Sequence, residues 1–232
     1  MIDFHSHILP AIDDGSQSLE QTEKMLQSAW SQGVRHQVAT PHFYADKMIP
    51  EEFLEKRKRG YEQALSLEGE LPQIHLGAEV AYFPGMSRSD AVQQLQIGQT
   101  GLLLVEMPFT TWTDRMVEDV CMLTDRQGLT PVLAHVERYR QRDRFPRYLD
   151  MLLASDALFQ YNASAFLERA TRGWAMRQLK KGCVHFLGSD CHNLTGRAPN
   201  LGDAAQQIQK KAGIELLDEI QTLSAQCLGV FD

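Results

Sequence analysis

The feature that most constrains the fold of this 232-residue chain is a regular alternation of short β-type segments with longer segments of helical period. Seven apolar runs predict strands, at residues 2–8, 36–40, 74–82, 101–107, 131–136, 158–162 and 184–189. Helix-start and helix-stop signals, such as Ser18 and Gly33, bound the segments between them. The alternation predicts an α/β fold with parallel strands. We interpret residues 1–232 as one domain, a closed or nearly closed barrel, with an open doubly wound sheet as the alternative.

Composition and charge exclude several classes of protein. A hydrophobic fraction of 43% and a charged fraction of 23% are typical of a globular domain. The net charge is −7 and no basic run interrupts it, so we expect neither nucleic acid nor anionic lipid as the main partner. No apolar stretch approaches the ~20 residues of a membrane span, and the N-terminal residues do not resemble a secretory signal. With only four scattered cysteines, these patterns predict a cytoplasmic protein without direct membrane insertion.

Histidines and acidic residues accumulate where the predicted strands end. Five of the eight histidines lie at or just beyond such an end, namely His5, His7, His42, His135 and His192. The acidic residues at the same ends are Asp3, Asp13, Asp14, Glu79, Glu106 and Asp190. In a parallel β/α barrel these ends form one face, and alternate residues of a strand point the same way. Buried carboxylates are costly without a cation, so the pattern predicts a metal site with several ions.

The order of these motifs resembles the PHP (polymerase and histidinol phosphatase) superfamily. The matching segments are DFHSHILP at 3–10, DDG at 13–15, TPHF at 40–43, GAEV at 77–80, VEMP at 105–108, AHVERY at 134–139 and GSDCH at 188–192, before Arg197. Within that superfamily, the chain is similar to the manganese-dependent bacterial tyrosine-protein phosphatases of capsule and exopolysaccharide operons. The resemblance covers nearly the whole chain. It implies a distorted (β/α)7 barrel of the PHP type and hydrolysis of phosphotyrosine on protein.

The resemblance also implies a role for each matched residue. The expected ligands of a first metal ion are His5, His7, Glu79 and Asp190. Those of a second are Glu106, His135 and the bridging Glu79. Those of a third are Asp14, His42 and His192. The implied catalytic residues are Arg138 and Arg197, whose guanidinium groups would bind the phosphate.

The implied cofactors are three divalent metal ions. Imidazole and carboxylate ligands suit manganese, iron or zinc, and the resemblance favours manganese. We expect Asp3 to support a histidine ring from behind and Asp13 to cap the turn at Gly15. The implied partner is the phosphotyrosine tail of a membrane-associated bacterial tyrosine kinase that controls polysaccharide export.

Other readings of the same residues remain open. Cys191 and Arg197 have the C-x5-R spacing of cysteine-dependent phosphatases, but Asp190 and His192 flank the cysteine, and we interpret Cys191 as part of the barrel wall. A histidinol-phosphate phosphatase of the same superfamily would use the same ligands on a small molecule. A metal-dependent amidohydrolase would typically have a carbamylated lysine where this chain offers Glu79. A non-enzymatic metal-binding module would need neither arginine.

Two further features bear on the substrate. Five aromatic residues follow the site motifs and favour an aryl phosphate, namely Phe43, Tyr44, Phe109, Trp112 and Tyr139. The charged segment 44–71 is typical of a solvated helix with i,i+4 ion pairs, and its alternative interpretation is a lid or docking surface.

Overall fold

The computed structural model describes residues 1–141 and 144–230, which form an α/β fold with parallel strands. The strands are β1 (Ile2–Ser6), β2 (His36–Ala39), β3 (His42–Phe43), β4 (Gln73–Leu76), β5 (Glu79–Ala81), β6 (Leu102–Glu106), β7 (Thr130–Leu133), β8 (Leu158–Asn162) and β9 (Phe186–Gly188). The helices are α1 (Leu19–Ser31), α2 (Pro50–Leu65), α3 (Asp114–Gln127), α4 (Phe145–Leu153), α5 (Ser164–Leu167), α6 (Arg172–Lys180), α7 (Leu201–Ala212) and α8 (Ile214–Leu228). No helix within these residues is long and apolar enough to cross a membrane.

The strands form two sheets, and all strand pairs within them are parallel. One has the order β1-β2-β4, and the other has the order β3-β5-β6-β7-β8-β9. The second predicted strand, 36–40, corresponds to β2 and is followed after a gap by the short strand β3, and the third, 74–82, is interrupted between β4 and β5. Pro41 lies in the first gap, where its missing N–H breaks the ladder, and Gly77 lies in the second. Ser6 and Cys191 form a parallel bridge, so the first strand lies beside the segment that follows the last.

The helices begin and end at the signals that the sequence contains. Ser18 caps α1 by accepting a hydrogen bond from the backbone N–H of Gln21. Gly128 ends α3 in the left-handed conformation, with φ of 65°. The charged segment 44–71 contains α2, whose exposed face carries the i,i+4 pairs Arg59–Glu55 and Lys58–Glu62. The prediction of a solvated helix in this segment is therefore confirmed.

The interior between the strands is filled by packed apolar side chains. Phe4 of β1 and Phe186 of β9 stack with ring centroids 3.8 Å apart, and both are fully buried. Each such side chain contributes roughly 2–3 kcal/mol through burial of its apolar surface. Leu104 and Val132 extend this layer along β6 and β7. Because this interior is closed, polar side chains gather at the carboxyl ends of the strands.

Candidate metal centre

The nine residues predicted as metal ligands meet at the carboxyl ends of the strands. His5 and His42 lie in β1 and β3, and Glu79 and Glu106 lie in β5 and β6. The other five lie in segments that follow a strand, and they are His7, Asp14, His135, Asp190 and His192. Contacts of 3.7 Å or less connect all nine through their ring nitrogens and carboxylate oxygens. We call this set the nine-residue cluster.

Three groups within the cluster have ligand atoms that lie within 4.8 Å of one another. The groups are His5–His7–Asp190, His42–Glu79–Glu106 and His7–Asp14–His42–His192. The first and third follow the expected division of ligands, with His7 shared between them. In the second, His42 joins Glu79 and Glu106, and His135 adjoins at 2.8 Å from Glu79 Oε1 and 3.3 Å from Glu106 Oε1. The assignment of single ligands to single ions stays a prediction.

Glu79 is the geometric centre of the cluster. Its Oε2 atom lies 3.3 Å from the Nε2 atoms of both His5 and His7, and 2.9 Å from Nδ1 of His42. Its Oε1 atom faces the Nε2 atom of His135. The side chain is 1% exposed, so one buried carboxylate contacts four imidazole rings from three segments of the chain. A carboxylate in this position is suited to bridge two cations.

The residues of the cluster fit a set of divalent cations. Four of their buried polar atoms form no hydrogen bond of good geometry with any described residue. They are His42 Nδ1 and Glu79 Oε2, although these two lie 2.9 Å apart, and His135 Nδ1 and His192 Nε2. Unsatisfied polar atoms are rare in protein interiors, and a ligated ion is one of their accepted explanations. The donors are imidazole nitrogens and carboxylate oxygens, which suit manganese, iron and zinc.

The charges of the cluster perturb its pKa values strongly. Burial opposes protonation of His7, yet the carboxylates of Asp13 and Glu79 raise its pKa to about 10. Burial likewise opposes protonation of His135, and Glu106 and Glu79 raise its pKa to about 9. These imidazoles hold protons because acidic side chains surround them. A metal cation would replace those protons and receive the same stabilisation.

Asp13 has its expected role and a second one, whereas Asp3 does not have the role that we expected. Asp13 Oδ1 accepts a hydrogen bond from the backbone N–H of Gly15, so the predicted turn cap is confirmed. Its Oδ2 atom also accepts from Nδ1 of His7 at 2.7 Å, which turns Nε2 of that ring towards the cluster. The predicted support of a histidine ring by Asp3 is wrong. Its carboxylate accepts from the backbone N–H groups of Ser189 and His5, because it lies one strand repeat below the histidine ring.

Two amide side chains in β8 belong to the site, and the sequence analysis missed them. Gln160 Oε1 accepts hydrogen bonds from Nδ1 of His5 at 3.0 Å and from the backbone N–H of His135 at 2.7 Å. Gln160 Nε2 donates to Asn162 Oδ1, and Asn162 Nδ2 donates to Asp190 Oδ2. The signal that predicts them is the spacing of two amides at alternate positions of an otherwise apolar strand.

Backbone geometry at two cluster positions is unusual. His135 has φ of 35° and Asp190 has φ of 52°, in the left-handed region that residues with a side chain rarely adopt. Each such residue costs about 1–3 kcal/mol, and such strain is concentrated at functional sites. Gly188 permits the close approach of β9 to β1, because a Cβ atom there would lie 2.5 Å from Cβ of His5. The backbone at the carboxyl ends of these strands therefore adopts unusual conformations at positions that carry cluster side chains.

The two predicted phosphate-binding arginines lie at the open side of Asp190. Arg138 Nη2 donates to Asp190 Oδ2, and Arg197 Nη2 donates to Asp190 Oδ1 at 2.5 Å. Their side chains are 35% and 37% exposed. Both line a cavity of about 320 Å³ that also contacts Asn162 and Ser189. The arginines thus face solvent next to the cluster, where an anionic group could reach them.

Cys191 is part of the barrel wall. Its side chain is fully buried, and its thiol lies 3.8 Å from Nε2 of Gln37. Burial, together with the nearby carboxylate of Asp3, raises the pKa of the Cys191 thiol far above its usual range. Cysteine-dependent catalysis requires an accessible thiolate with a lowered pKa. The spacing of Cys191 and Arg197 therefore does not mark a thiolate site.

A parallel α/β fold with histidine and carboxylate clusters at its strand ends is typical of the metal-dependent hydrolases. The chain belongs to the CpsB/CapC family, since the family model described as "Capsular polysaccharide synthesis, CpsB/CapC" matches residues 1–228. The tyrosine-protein phosphatase CpsB of Streptococcus agalactiae serotype III (strain NEM316) is 30% identical over 98% of each chain. The tyrosine-protein phosphatase YwqE of Bacillus subtilis (strain 168) is 29% identical over 93% of this chain and 87% of its own. These relatives confirm the family resemblance.

Solved structures show the same fold. A structure from a crystallographic study of YwqE from Bacillus subtilis and CpsB from Streptococcus pneumoniae, described as unique metal-dependent tyrosine phosphatases, superposes with a TM-score of 0.85. It is 24% identical and covers 100% of this chain and 96% of that one. The phosphotriesterase homology protein from Escherichia coli, complexed with phosphate in its active site, superposes with a TM-score of 0.57 at 10% identity and covers 97% of each chain.

Proposed function

We propose that this protein is a metal-dependent phosphatase that hydrolyses phosphotyrosine on proteins. The observation that carries the proposal is the nine-residue cluster around the buried Glu79, with Arg138 and Arg197 at its open side. The tyrosine-protein phosphatase names of the curated relatives support the same activity. Amide hydrolysis by the cluster would not require two adjacent arginines, whereas a phosphate group does.

We propose that the cluster holds three divalent ions, with manganese as the physiological metal. Its members in this role are His5, His7, Asp14, His42, Glu79, Glu106, His135, Asp190 and His192. Bound divalent ions supply a water of lowered pKa and neutralise the charge that develops on the phosphoryl oxygens. Glu79 would help to hold more than one of these ions, and Asp13 and Gln160 fix the rings of His7 and His5 from behind.

Arg138 and Arg197 are proposed to bind and orient the phosphate. Both guanidinium groups now point at one carboxylate, that of Asp190, and each retains further N–H donors. A phosphate in the adjoining cavity has pairs of oxygen atoms that can accept two parallel hydrogen bonds from one planar guanidinium group. The arginines thereby stabilise the negative charge that increases on the phosphoryl oxygens as the ester bond breaks.

Two aromatic side chains are placed to contact the tyrosyl ring. Phe109 is 44% exposed and stacks on His135, with ring centroids 5.9 Å apart and an interplanar angle of 18°. Tyr44 lies on the opposite flank of the cluster, 5.3 Å from the ring of His42. The other three aromatic residues suggested by the sequence are core residues and are too buried to frame a ligand. They are Phe43, Trp112 and Tyr139, each 2% exposed or less.

The finer features of the fold and the cellular setting are also proposals. If β2 with β3 and β4 with β5 each count as one interrupted strand, the chain has seven strands and resembles the distorted (β/α)7 barrel of the PHP type. Four unpaired thiols suit a cytoplasmic location. We propose as substrate the phosphotyrosine tail of a membrane-associated bacterial tyrosine kinase, in keeping with a family named for capsular polysaccharide synthesis.

Metal analysis combined with substrate comparison tests the proposal. Purified protein loaded with manganese should contain about three ions per chain. It should hydrolyse a phosphotyrosyl peptide much faster than the phosphoseryl peptide of the same sequence, and faster than histidinol phosphate. Faster turnover of histidinol phosphate would favour the small-molecule alternative. Activity on an amide substrate without phosphatase activity would favour an amidohydrolase.

A further inference from the structure

A groove outside the cluster runs along helix α3. It has a volume of about 730 Å³, and Tyr82, Arg88, Arg115 and Arg126 are among the residues that line it. We call it the α3 groove. Tyr82 follows the carboxyl end of β5, and its backbone N–H donates to the carbonyl oxygen of Glu106 at 2.8 Å. One end of the groove therefore lies beside the backbone of Glu106, which is a member of the nine-residue cluster.

The arginines of the α3 groove are available to an external anion. Arg88 and Arg115 are exposed, and within the described part of the chain neither guanidinium group forms a hydrogen bond or salt bridge with another residue. Arg126 donates to Ser87 Oγ at 3.3 Å and retains its other donors. Three arginines in one groove are unusual in a chain of net charge −7. They provide positive charge that no internal partner uses.

The acidic residues of the groove do not neutralise this charge. Asp119 is engaged by the backbone N–H of Gly85 at 2.7 Å, by Ser87 Oγ at 2.6 Å and by the hydroxyl of Tyr82 at 3.4 Å. Its carboxylate, although it lines the groove, therefore has both oxygen atoms engaged by neighbouring donors. Glu118 is the other acidic lining residue and is exposed.

We propose that the α3 groove binds an acidic segment of the polypeptide substrate that flanks the phosphotyrosine, and this proposal rests on the proposed function. Arg115 and Arg126 are eleven positions apart on α3, which corresponds to ~16 Å along a helix axis. An extended peptide covers that distance in about five residues. Aspartate or glutamate side chains in such a segment pair with the arginines, while the phosphotyrosine occupies the metal centre.

The test compares two phosphotyrosyl peptides that differ only in one flanking segment. This segment contains aspartate and glutamate in the acidic peptide, and asparagine and glutamine in the neutral peptide. Each pair is made twice, once with the segment before the phosphotyrosine and once with the segment after it. In the Arg88→Ala/Arg115→Ala variant, kcat/KM for the acidic peptide should fall about 5–20-fold, mainly through KM, because each exposed ion pair contributes modestly. Activity on the neutral peptide and on p-nitrophenyl phosphate should not change. Arg177→Ala, an exposed arginine on α6, serves as the matched control.

Two further measurements make the result decisive. The preference for the acidic peptide should shrink at high salt, as expected for exposed charges. A fluorescent acidic peptide without phosphotyrosine should bind the wild type more tightly than the double variant, and this readout does not depend on hydrolysis. Equal binding and equal kcat/KM in both proteins would overturn the proposal. A parallel loss on p-nitrophenyl phosphate would also overturn it, because the arginines would then act on the reacting phosphate.

Discussion

Replacement of Glu79 by glutamine is the most informative perturbation of the metal centre. The substitution preserves the size of the side chain and removes one buried negative charge. The Glu79 oxygens lie 2.8–3.3 Å from four imidazole rings, so any cation held among those rings lies within ~4 Å of the carboxylate. At an effective dielectric constant of about 20, each unit of cation charge at that distance is stabilised by about 4 kcal/mol, which is a lower bound for a divalent ion.

A loss of at least about 4 kcal/mol corresponds to a decrease of at least roughly 10³-fold in affinity for each ion that Glu79 holds. We therefore expect Glu79→Gln to retain about one of three ions after dialysis and to lose nearly all phosphatase activity. Elemental analysis of the dialysed protein, together with turnover of p-nitrophenyl phosphate, measures both quantities. Glu52→Gln, on the exposed face of α2, should retain the metal content and activity of the wild type. A Glu79→Gln protein with full occupancy and normal turnover would refute the bridging role.

Three other predictions follow from the same geometry. Arg138→Ala and Arg197→Ala should each leave metal content unchanged and lower kcat by ~10²-fold or more, whereas a rise in KM alone would contradict a role in the transition state. Cys191→Ser should keep most of its activity and remain sensitive to chelators, and an inactive but fully metal-loaded Cys191→Ser protein would count against metal-dependent catalysis. The raised pKa values of His7 (about 10) and His135 (about 9) contribute stability that is fully present below the unfolded value of 6.5 and is lost as the pH rises through 9–10. The melting temperature of chelator-treated protein should therefore fall between pH 7 and 10, and a constant value would contradict the charge pairing.

The sequence predicts the location of the site well because parallel strands bring their carboxyl ends to one face. His5 and His7 in one strand, and Asp190 and His192 after another, identify that face from spacing alone. The packing around these residues is less predictable. The role of Gln160 depends on the position of β8 between β7 and β9, and sequence periodicity does not contain that information.

Packing also explains the residues whose roles differ from the sequence-based expectations. Trp112 and Tyr139 follow site motifs along the chain, but their polar atoms donate to the backbone carbonyls of Pro108 and Met107, which draws both rings into the core. Asp3 lies on the same side of its strand as His5, yet it is too deep in the barrel to reach a ring. The position of a residue along the chain predicted at which end of the strands it lies. The register of neighbouring strands determined which groups its side chain contacts.

The contact between the first strand and the segment after the last has a consequence for synthesis of the protein. His5 and His7 leave the ribosome among the first residues, whereas Asp190 and His192 follow only when most of the chain has been made. At a synthesis rate of ~5–20 residues per second, Asp190 and His192 are added about 10–40 s after His5 and His7. A chain terminated before Asp190 therefore lacks two of the nine cluster residues as well as Arg197, and we expect it to be inactive.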